Sequence, residues 1–238
     1  MIREEDGLVF RQLGPISEFK RAESFQREVW GPDDPPDNSD IMLALQHEGA
    51  LVAGAFEGDR MVGFLFGFPT KDPKIQHSHR LAVHPDARGK KLGTRLKWYQ
   101  RDWCLERGIE LVRWTYDPIR SINATLNIAR IGATAKTYHV NYYGDMEGIN
   151  AGVPSDRLVA DWVLNDPRLD HKRTNGQLPE DDVLQRVHIP QDFGVLLEQD
   201  LEKALSERLR VRDELISSFN KGLKIIGFDP KNTDYLLA

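Results

Sequence analysis

With 238 residues, of which 40% are hydrophobic, the chain can bury a sizeable core as one large domain, or as a domain with a smaller appendage. A formal net charge of −5 argues against nucleic acid as the main partner, so any basic footprint has to be local. A single cysteine, Cys104, excludes a disulfide framework and a cysteine zinc site, and no run approaches the ~18 apolar residues of a membrane span.

In chain order, Leu8–Leu13 reads as a first strand. Ile16–Val29 reads as a helix, with Ile16, Phe19, Ala22, Phe25 and Val29 recurring on one stripe. Gly31–Asn38 (GPDDPPDN) is a loop, because neither helix nor strand accepts its prolines. Asp40 is placed to cap a second short helix through Leu45 and Gln46. Leu51–Phe56 and Met61–Phe68 flank Glu57-Gly58-Asp59-Arg60, which predicts a hairpin, and His77–Val83 adds a further antiparallel strand. His84-Pro85-Asp86 stops that strand, since proline has no backbone donor and a fixed φ.

A helix then runs from about Leu92 to Glu106, with Leu92, Leu96, Tyr99 and Trp103 apolar and Gly108 as its stop. Leu111–Tyr116 is a strand ended by Asp117-Pro118, Ser121–Ile131 a helix with Gly132 beyond it, and Tyr138–Tyr143 and Leu158–Leu164 two closing strands. Antiparallel pairs followed by β–α–β–α–β–β predict a mixed α/β domain over residues 1–165. Residues 165–186 are polar and turn-rich and read as a boundary, leaving 166–238 as an extension. There, one long helix starts at Pro190-Gln191-Asp192, carries Phe193, Leu197, Leu201, Ala204, Leu205, Leu209, Ile216, Phe219 and Leu223, and ends at Gly222. Ile225–Phe228 and Tyr235–Leu237 then pair across an Asp-Pro turn. So continuous a stripe needs a cover, from its own domain or from a second copy, which makes a homodimer one expectation. The charged start, MIREEDGLVF, lacks the apolar core of a signal peptide, so a cytoplasmic protein without a membrane partner is expected.

The chemistry concentrates in Gln76–Thr94, QHSHRLAVHPDARGKKLGT. Period-2 alternation places His77, His79, Leu81 and Val83 on one face of the strand. A compact loop feeding a helix N-terminus offers open N–H groups and the positive end of a dipole, here beside Arg88, Lys90 and Lys91. That is a phosphate site or, on the plainer reading, a basic solvated turn. A histidine titrates near ~6.5 and accepts a proton at neutral pH without special tuning. His77 and His79 are therefore candidate bases, or simply the polar start of a strand. No carboxylate or cysteine cluster matches them, so no metal is expected. There is no Gly-x-Ser-x-Gly elbow for a serine hydrolase.

This strand–loop–helix unit resembles the acyl-CoA-binding segment of the GNAT superfamily of N-acetyltransferases, whose signature is Gln/Arg-x-x-Gly-x-Gly/Ala after a strand ending in Leu-x-Val. Arg88 matches the first position, Gly93 the last and Gly89 the common Arg-Gly opening, whereas Lys91 stands where glycine is usual. The resemblance follows the element order over roughly residues 7–165, and Trp114–Leu126 with Asn141–Gly144 and Pro154–Arg157 looks like a subgroup with a C-terminal extension. It implies a mixed, splayed six- or seven-stranded sheet with helices on both faces, opening between the strands around Val83 and Trp114.

It also implies acetyl-CoA or another acyl-CoA as co-substrate. The pyrophosphate would sit on Arg88, Gly89, Lys90, Lys91, Gly93 and Thr94, with the pantetheine arm paired to the main chain of Leu81 and Val83 and hydrogen-bonded by Asn123 or Asn127. His-x-His-x-Leu-Ala-Val resembles the histidine pair of the aralkylamine N-acetyltransferases, which implies His79 as general base and His77 as helper. Asp40, Glu48 and Glu57 are less specific alternatives, and residues 30–48 would help build the acceptor cleft. At the position where the family often has a tyrosine as general acid this chain has Ile128, leaving Tyr138, Tyr142 and Tyr143 as substitutes. The expectation is direct transfer of an acyl group to a small-molecule amine or amino-acid-like acceptor. The alternative is a non-catalytic acyl-CoA-binding or interaction protein, favoured by Lys91 and by the missing tyrosine.

Overall fold

The computed structural model describes residues 1–144, 152–175 and 183–238, and it divides into two compact units, Met1–Val112 and Arg113–Ala238. The first unit is an antiparallel meander of β1 (Ile2–Glu5), β2 (Leu8–Gln12), β3 (Leu51–Glu57), β4 (Arg60–Pro69) and β5 (Ile75–Val83), each paired with the next. The sequence reading lacks β1. Its signal is Asp6-Gly7, a two-residue hairpin turn in which both residues take positive φ, 49° and 74°.

Helices α1 (Ile16–Trp30) and α2 (Ser39–His47) join β2 to β3. Phe19, Ala22 and Phe25 of α1 are fully buried with Met42, Phe64, Phe66 and Ala82 in one apolar cluster. The cap of α2 is Asn38 rather than Asp40: its side chain accepts from the N–H groups of Asp40 and Ile41. Asp40 is the second residue of the helix, in its first turn, where its charge meets the positive end of the helix dipole. Helix α3 (Leu92–Leu105) covers the other face of β4. A Cβ on Gly63 would come within 2.8 Å of Leu96 Cδ1, so glycine sets how closely this helix approaches the sheet.

Strand β6 (Leu111–Tyr116) runs across the boundary between the units. The second unit then contains α4 (Ser121–Ala124), which continues in π-helical turns over Thr125–Arg130, followed by β7 (Thr134–His139), β8 (Arg157–Val163) and α5 (Pro167–Asn175). It ends with β9 (Gln185–His188), α6 (Phe193–Gln199), α7 (Leu201–Asn220), β10 (Ile225–Asp229) and β11 (Asp234–Leu237). Its strands lie in the order β6-β8-β7-β10-β11-β9. Among the described residues seven strands, β2 to β8, fall between residues 7 and 165, and with β1 and β9 to β11 the strands number eleven, more than the six or seven expected.

Three expectations change in this unit. The first closing strand is Thr134–His139, so Tyr142 and Tyr143 lie beyond its end. The stretch read as a boundary carries α5 and the start of β9. The single long helix is two, because Asp200 takes an extended conformation and caps α7 through Lys203 N, as Asp192 caps α6 through Val195 N. Along α7, Ala204, Val211 and Leu215 face inward while Leu201, Leu205 and Leu209 are exposed. The terminal hairpin forms as expected, and β10 also pairs with β7.

Ion pairs tie α7 to the turn after β6 and to the start of β8. Arg208, 1% exposed, donates to both oxygens of Asp117 at 2.7 and 2.9 Å. Arg212 makes the same two-pronged contact with buried Asp156, at 2.8 Å for each bond, and Asp156 also accepts from Tyr138 Oη at 2.7 Å and Asn141 N at 3.0 Å. Burial first, and then the Asp156 carboxylate, push the Tyr138 phenol far above the usual tyrosine range. Tyr235 Oη donates to the Pro118 carbonyl at 2.8 Å. Removing one partner of so enclosed a pair leaves an uncompensated charge. Arg208→Ala should therefore cost about 3–5 kcal/mol in urea unfolding, and the loss in the Arg208→Ala/Asp117→Ala double variant should be well short of the sum of the singles. Strict additivity would show that the pair does not couple α7 to that turn.

Candidate active site

Strand β5 contains one residue more than its partner. Leu65 pairs with Leu81 and Phe66 with Arg80, but Gly67 pairs with Ser78, which leaves His79 as the extra residue of a β-bulge. The expected common face for His77, His79, Leu81 and Val83 is therefore wrong. Leu81 and Val83 lie opposite Leu65 and Gly63, on the α3 side, together with Ser78 and Gln76. Arg80 and Ala82 lie opposite Phe66 and Phe64, and His77 opposite Phe68, on the α1/α2 side. The His79 ring joins that second group, 5.6 Å from the ring centroids of both Phe66 and Phe68 and 6.2 Å from that of His77.

The loop after α1 closes over these side chains. His79 Nε2 is 3.1 Å from Asp37 Oδ1. Arg80 is anchored more broadly: Nη1 meets Asp34 Oδ2 at 2.5 Å, Nη2 donates to the Pro35 carbonyl at 3.0 Å, and Nε lies 3.4 Å from Asp37 Oδ2. Its guanidinium also sits 4.7 Å from the centre of the Trp30 ring. The two histidines differ electrostatically. Burial, and then repulsion from His79 and Lys97, hold His77 down to about 4, so it is neutral and a weak base at physiological pH. The side chain of His79 is 38% exposed, which leaves it accessible to an incoming group.

Beyond β5 the chain makes one tight turn over Pro85–Ala87, and Asp86 pairs with Arg60 at 2.8 Å. Gly89 takes φ 86°, and Lys91, at the cap position of α3, takes φ 54°. The glycine usual at this place is thus replaced by a residue that keeps the left-handed backbone, at a cost of about 1–2 kcal/mol. No side chain caps α3, and its first backbone bond is Arg95 N to Lys91 O at 3.1 Å. Gly93 lies in the first turn, and Thr94 Oγ1 is enclosed without a hydrogen-bond partner. Arg88, Gly89, Lys90 and Lys91 are all exposed, with Lys90 3.3 Å from Glu57. Open N–H groups, an unused buried hydroxyl and three cations suit a pyrophosphate.

Asn123 and Asn127 belong to the second unit, partly exposed and buried respectively, in α4 and its π-helical continuation. Ile128 is fully buried. The Tyr138 hydroxyl is engaged by Asp156, whereas Tyr142 packs between His139 at 5.1 Å and Tyr143 at 4.8 Å. Of the alternative bases, Glu57 is paired with Lys90, and Asp40 belongs to the first turn of α2.

Sequence reasoning missed Asp34, Asp37 and Arg80. An arginine beside His79 in an otherwise apolar strand, with two acids in the preceding loop, was the available signal. It also missed a buried polar cluster behind β5. There Lys97 Nζ donates to Ser78 Oγ at 2.8 Å and Gln100 Oε1 at 3.1 Å, and Gln100 Nε2 donates to Gln76 Oε1 at 2.6 Å. The Cys104 thiol donates to the same Gln76 oxygen at 3.4 Å.

Burial holds the Lys97 amine down to about 7 and pushes the Cys104 thiol up to about 12. Between pH about 7 and about 9 the unfolded chain keeps the lysine proton that the folded chain has lost, so stability rises with pH, by at most about 1.4 kcal/mol per unit. Above about pH 9 the cysteine, ionised only when unfolded, opposes this rise. Denaturant midpoints of the full chain across that window should climb and then level, and Lys97→Met should remove the climb. A climb identical in Lys97→Met would assign it to other groups.

A profile of the Acetyltransferase (GNAT) family matches residues 17–124. No curated protein sequence matches the chain. Among solved structures, it is similar to the ribosomal-protein-S18-alanine N-acetyltransferase from Escherichia coli, at 16% identity and a TM-score of 0.55 over 67% of this chain and 95% of that one. Aminoglycoside 6'-acetyltransferase type Ii is similar at 15% identity and a TM-score of 0.54, over 66% of this chain and 97% of that one. The yncA protein of Salmonella typhimurium, described as an acetyltransferase and solved with its cofactor acetyl-CoA, is similar at 17% identity and a TM-score of 0.54, over 67% and 95%. These likenesses show the fold, a mixed α/β architecture with a splayed sheet and helices on both faces, as expected for an acyl-CoA N-acyltransferase. Over residues 17–124 the chain carries an acetyltransferase domain of the GNAT family.

Proposed function

We propose that the chain is an N-acetyltransferase that moves the acetyl group of acetyl-CoA directly to the amine of a small-molecule or amino-acid-like acceptor, with His79 as general base. The bulge in β5 carries this reading: it turns His79 toward the loop of residues 31–38 while the main chain of Leu81 and Val83 runs straight into the basic turn before α3. Arg88, Lys90, Lys91 and the first N–H groups of α3 would hold the pyrophosphate, with Thr94 Oγ1 as a further donor. Main-chain N–H groups of Leu81 and Val83 are the candidates for pairing the pantetheine arm and polarising the thioester carbonyl. The acceptor would enter from the side of Trp30, Phe68 and the acidic loop. His77, neutral and behind His79, would help through a hydrogen bond or water rather than as a second base.

Direct transfer, rather than an acyl-enzyme, is supported by the state of the only cysteine. Cys104 is fully buried on the opposite face of the sheet and resists ionisation. A thiolate leaves readily enough that Ile128 in place of a tyrosine does not preclude turnover. That same isoleucine favours the second reading, a domain that binds acyl-CoA without catalysis. The two stretches 1–165 and 166–238 are proposed as acetyltransferase domain and extension. Among the described residues no helix is long and apolar enough to cross a membrane.

The discriminating experiment follows thiol release from acetyl-CoA across a panel of amines, beside calorimetric titration of acetyl-CoA. Turnover is expected, with His79→Gln slower by about 10²- to 10⁴-fold and acetyl-CoA affinity little changed. Tight binding with no thiol release for any amine would establish the non-catalytic reading. A fully active His79→Gln would remove His79 from the chemistry.

A further inference from the structure

In a regular strand, consecutive side chains point to opposite faces, and no single group can touch two neighbours. The bulge removes that restriction at His79 and Arg80. Both reach Asp37: His79 Nε2 is 3.1 Å from Oδ1, and Arg80 Nε is 3.4 Å from Oδ2. The carboxylate is not a wandering loop charge. Gln26, fully buried in α1, accepts from Asp37 N at 3.0 Å and donates to its carbonyl at 3.5 Å. The next residue, Asn38, is the cap of α2, and Arg80 pins Asp34 and Pro35 on the other side. The side chain of Asp37 is 19% exposed, half as much as that of His79.

An ionised carboxylate only accepts hydrogen bonds. Facing Asp37, the His79 ring must therefore carry its hydrogen on Nε2, and the lone pair is left on Nδ1. We propose that Asp37 is the positioning residue of this site. It fixes His79 as the Nε2–H tautomer, so that Nδ1 takes the proton of the acceptor amine, while the Arg80 charge lies beside the second oxygen of Asp37 as an ion pair without a hydrogen bond. The inference rests on the reading of His79 as base. In the step it serves, the ammonium proton passes to Nδ1 and the amine nitrogen bonds to the acyl carbon. The carbon–sulfur bond breaks, the second proton on that nitrogen passes through solvent to the departing thiolate, and the imidazolium finally gives its proton to solvent, leaving neutral amide and thiol. The imidazolium formed on the way then lies against a carboxylate already in position, the arrangement by which an acid aids a histidine base without itself exchanging protons.

The test uses the full chain with ¹⁵N-labelled histidine and long-range proton–nitrogen correlation spectra at a pH where the rings are neutral. The His79 signals are identified by their loss in His79→Gln. The wild-type ring should be the Nε2–H tautomer. Asp37→Asn, whose amide can donate as well as accept, should shift it toward Nδ1–H. In the same variant kcat should fall by about 10- to 100-fold with KM for acetyl-CoA unchanged, and Asp37→Glu should recover part of the loss. A wild-type Nδ1–H tautomer, which needs no variant to observe, overturns the proposal. So does an Asp37→Asn protein with unchanged tautomer and rate. In both cases the base reading survives if His79→Gln is slow, whereas a full-speed His79→Gln removes that reading and this proposal together.

Discussion

One extra residue in β5 decides which side chains meet. Without it, His79 would share the α3 face with Leu81, and Asp37 would face Arg80 alone. With it, His77, His79 and Arg80 gather on the side of α1, α2 and their loop. Leu81 and Val83 keep the pattern of the opposite face. The strand thereby separates two tasks, side chains on one face for the acceptor and main chain at its end for the acyl donor. A bulge also bends and twists its strand, which suits a strand end that must present free backbone groups.

The two faces of β5 are maintained by different physics. On the acceptor side, Phe66 and Phe68 give the histidines a wall of rings, and Arg80 links the strand to a proline-rich loop that has little conformational freedom to lose. On the other side, Gln76, Ser78, Lys97, Gln100 and Cys104 form a hydrogen-bonded polar cluster beneath the sheet. Only Gln76 Nε2 in this cluster is left without a partner, and buried polar groups joined in this way specify a register more sharply than apolar contacts do. Ser78 follows His77 directly and precedes the extra residue, so this cluster fixes the strand on one side of the bulge. Phe64 and Ala82 fix it on the other.

Much of this was legible in the sequence because it is written locally. The basic turn before α3, the hairpin at Glu57–Arg60 and the stop at Gly108 each follow from a few adjacent residues. The bulge was not legible, because alternation within His77–Val83 says nothing about how that strand registers against Phe66 and Gly67. Asp37 was hidden for the same reason: its partners lie 42 and 43 residues further along the chain. The caps misled in a different way. Asn38 and Asp40 are both acceptable caps by residue type, and the local sequence does not choose between them. Asp200 breaks the long C-terminal helix within an apolar stripe that continues across it, so periodicity alone sees one helix.

The central claim is that the end of β5 and the turn before α3 form one acyl-CoA site, with the thioester lying along the Leu81–Val83 main chain. Hydrogen exchange of the full chain, with and without saturating acetyl-CoA, tests it most directly. The account predicts slowed exchange at the amides of Leu81–Val83 and of residues 88–94, with little change in β1 and β2. Protection confined to other parts of the chain, or none at either segment under saturation, would contradict it.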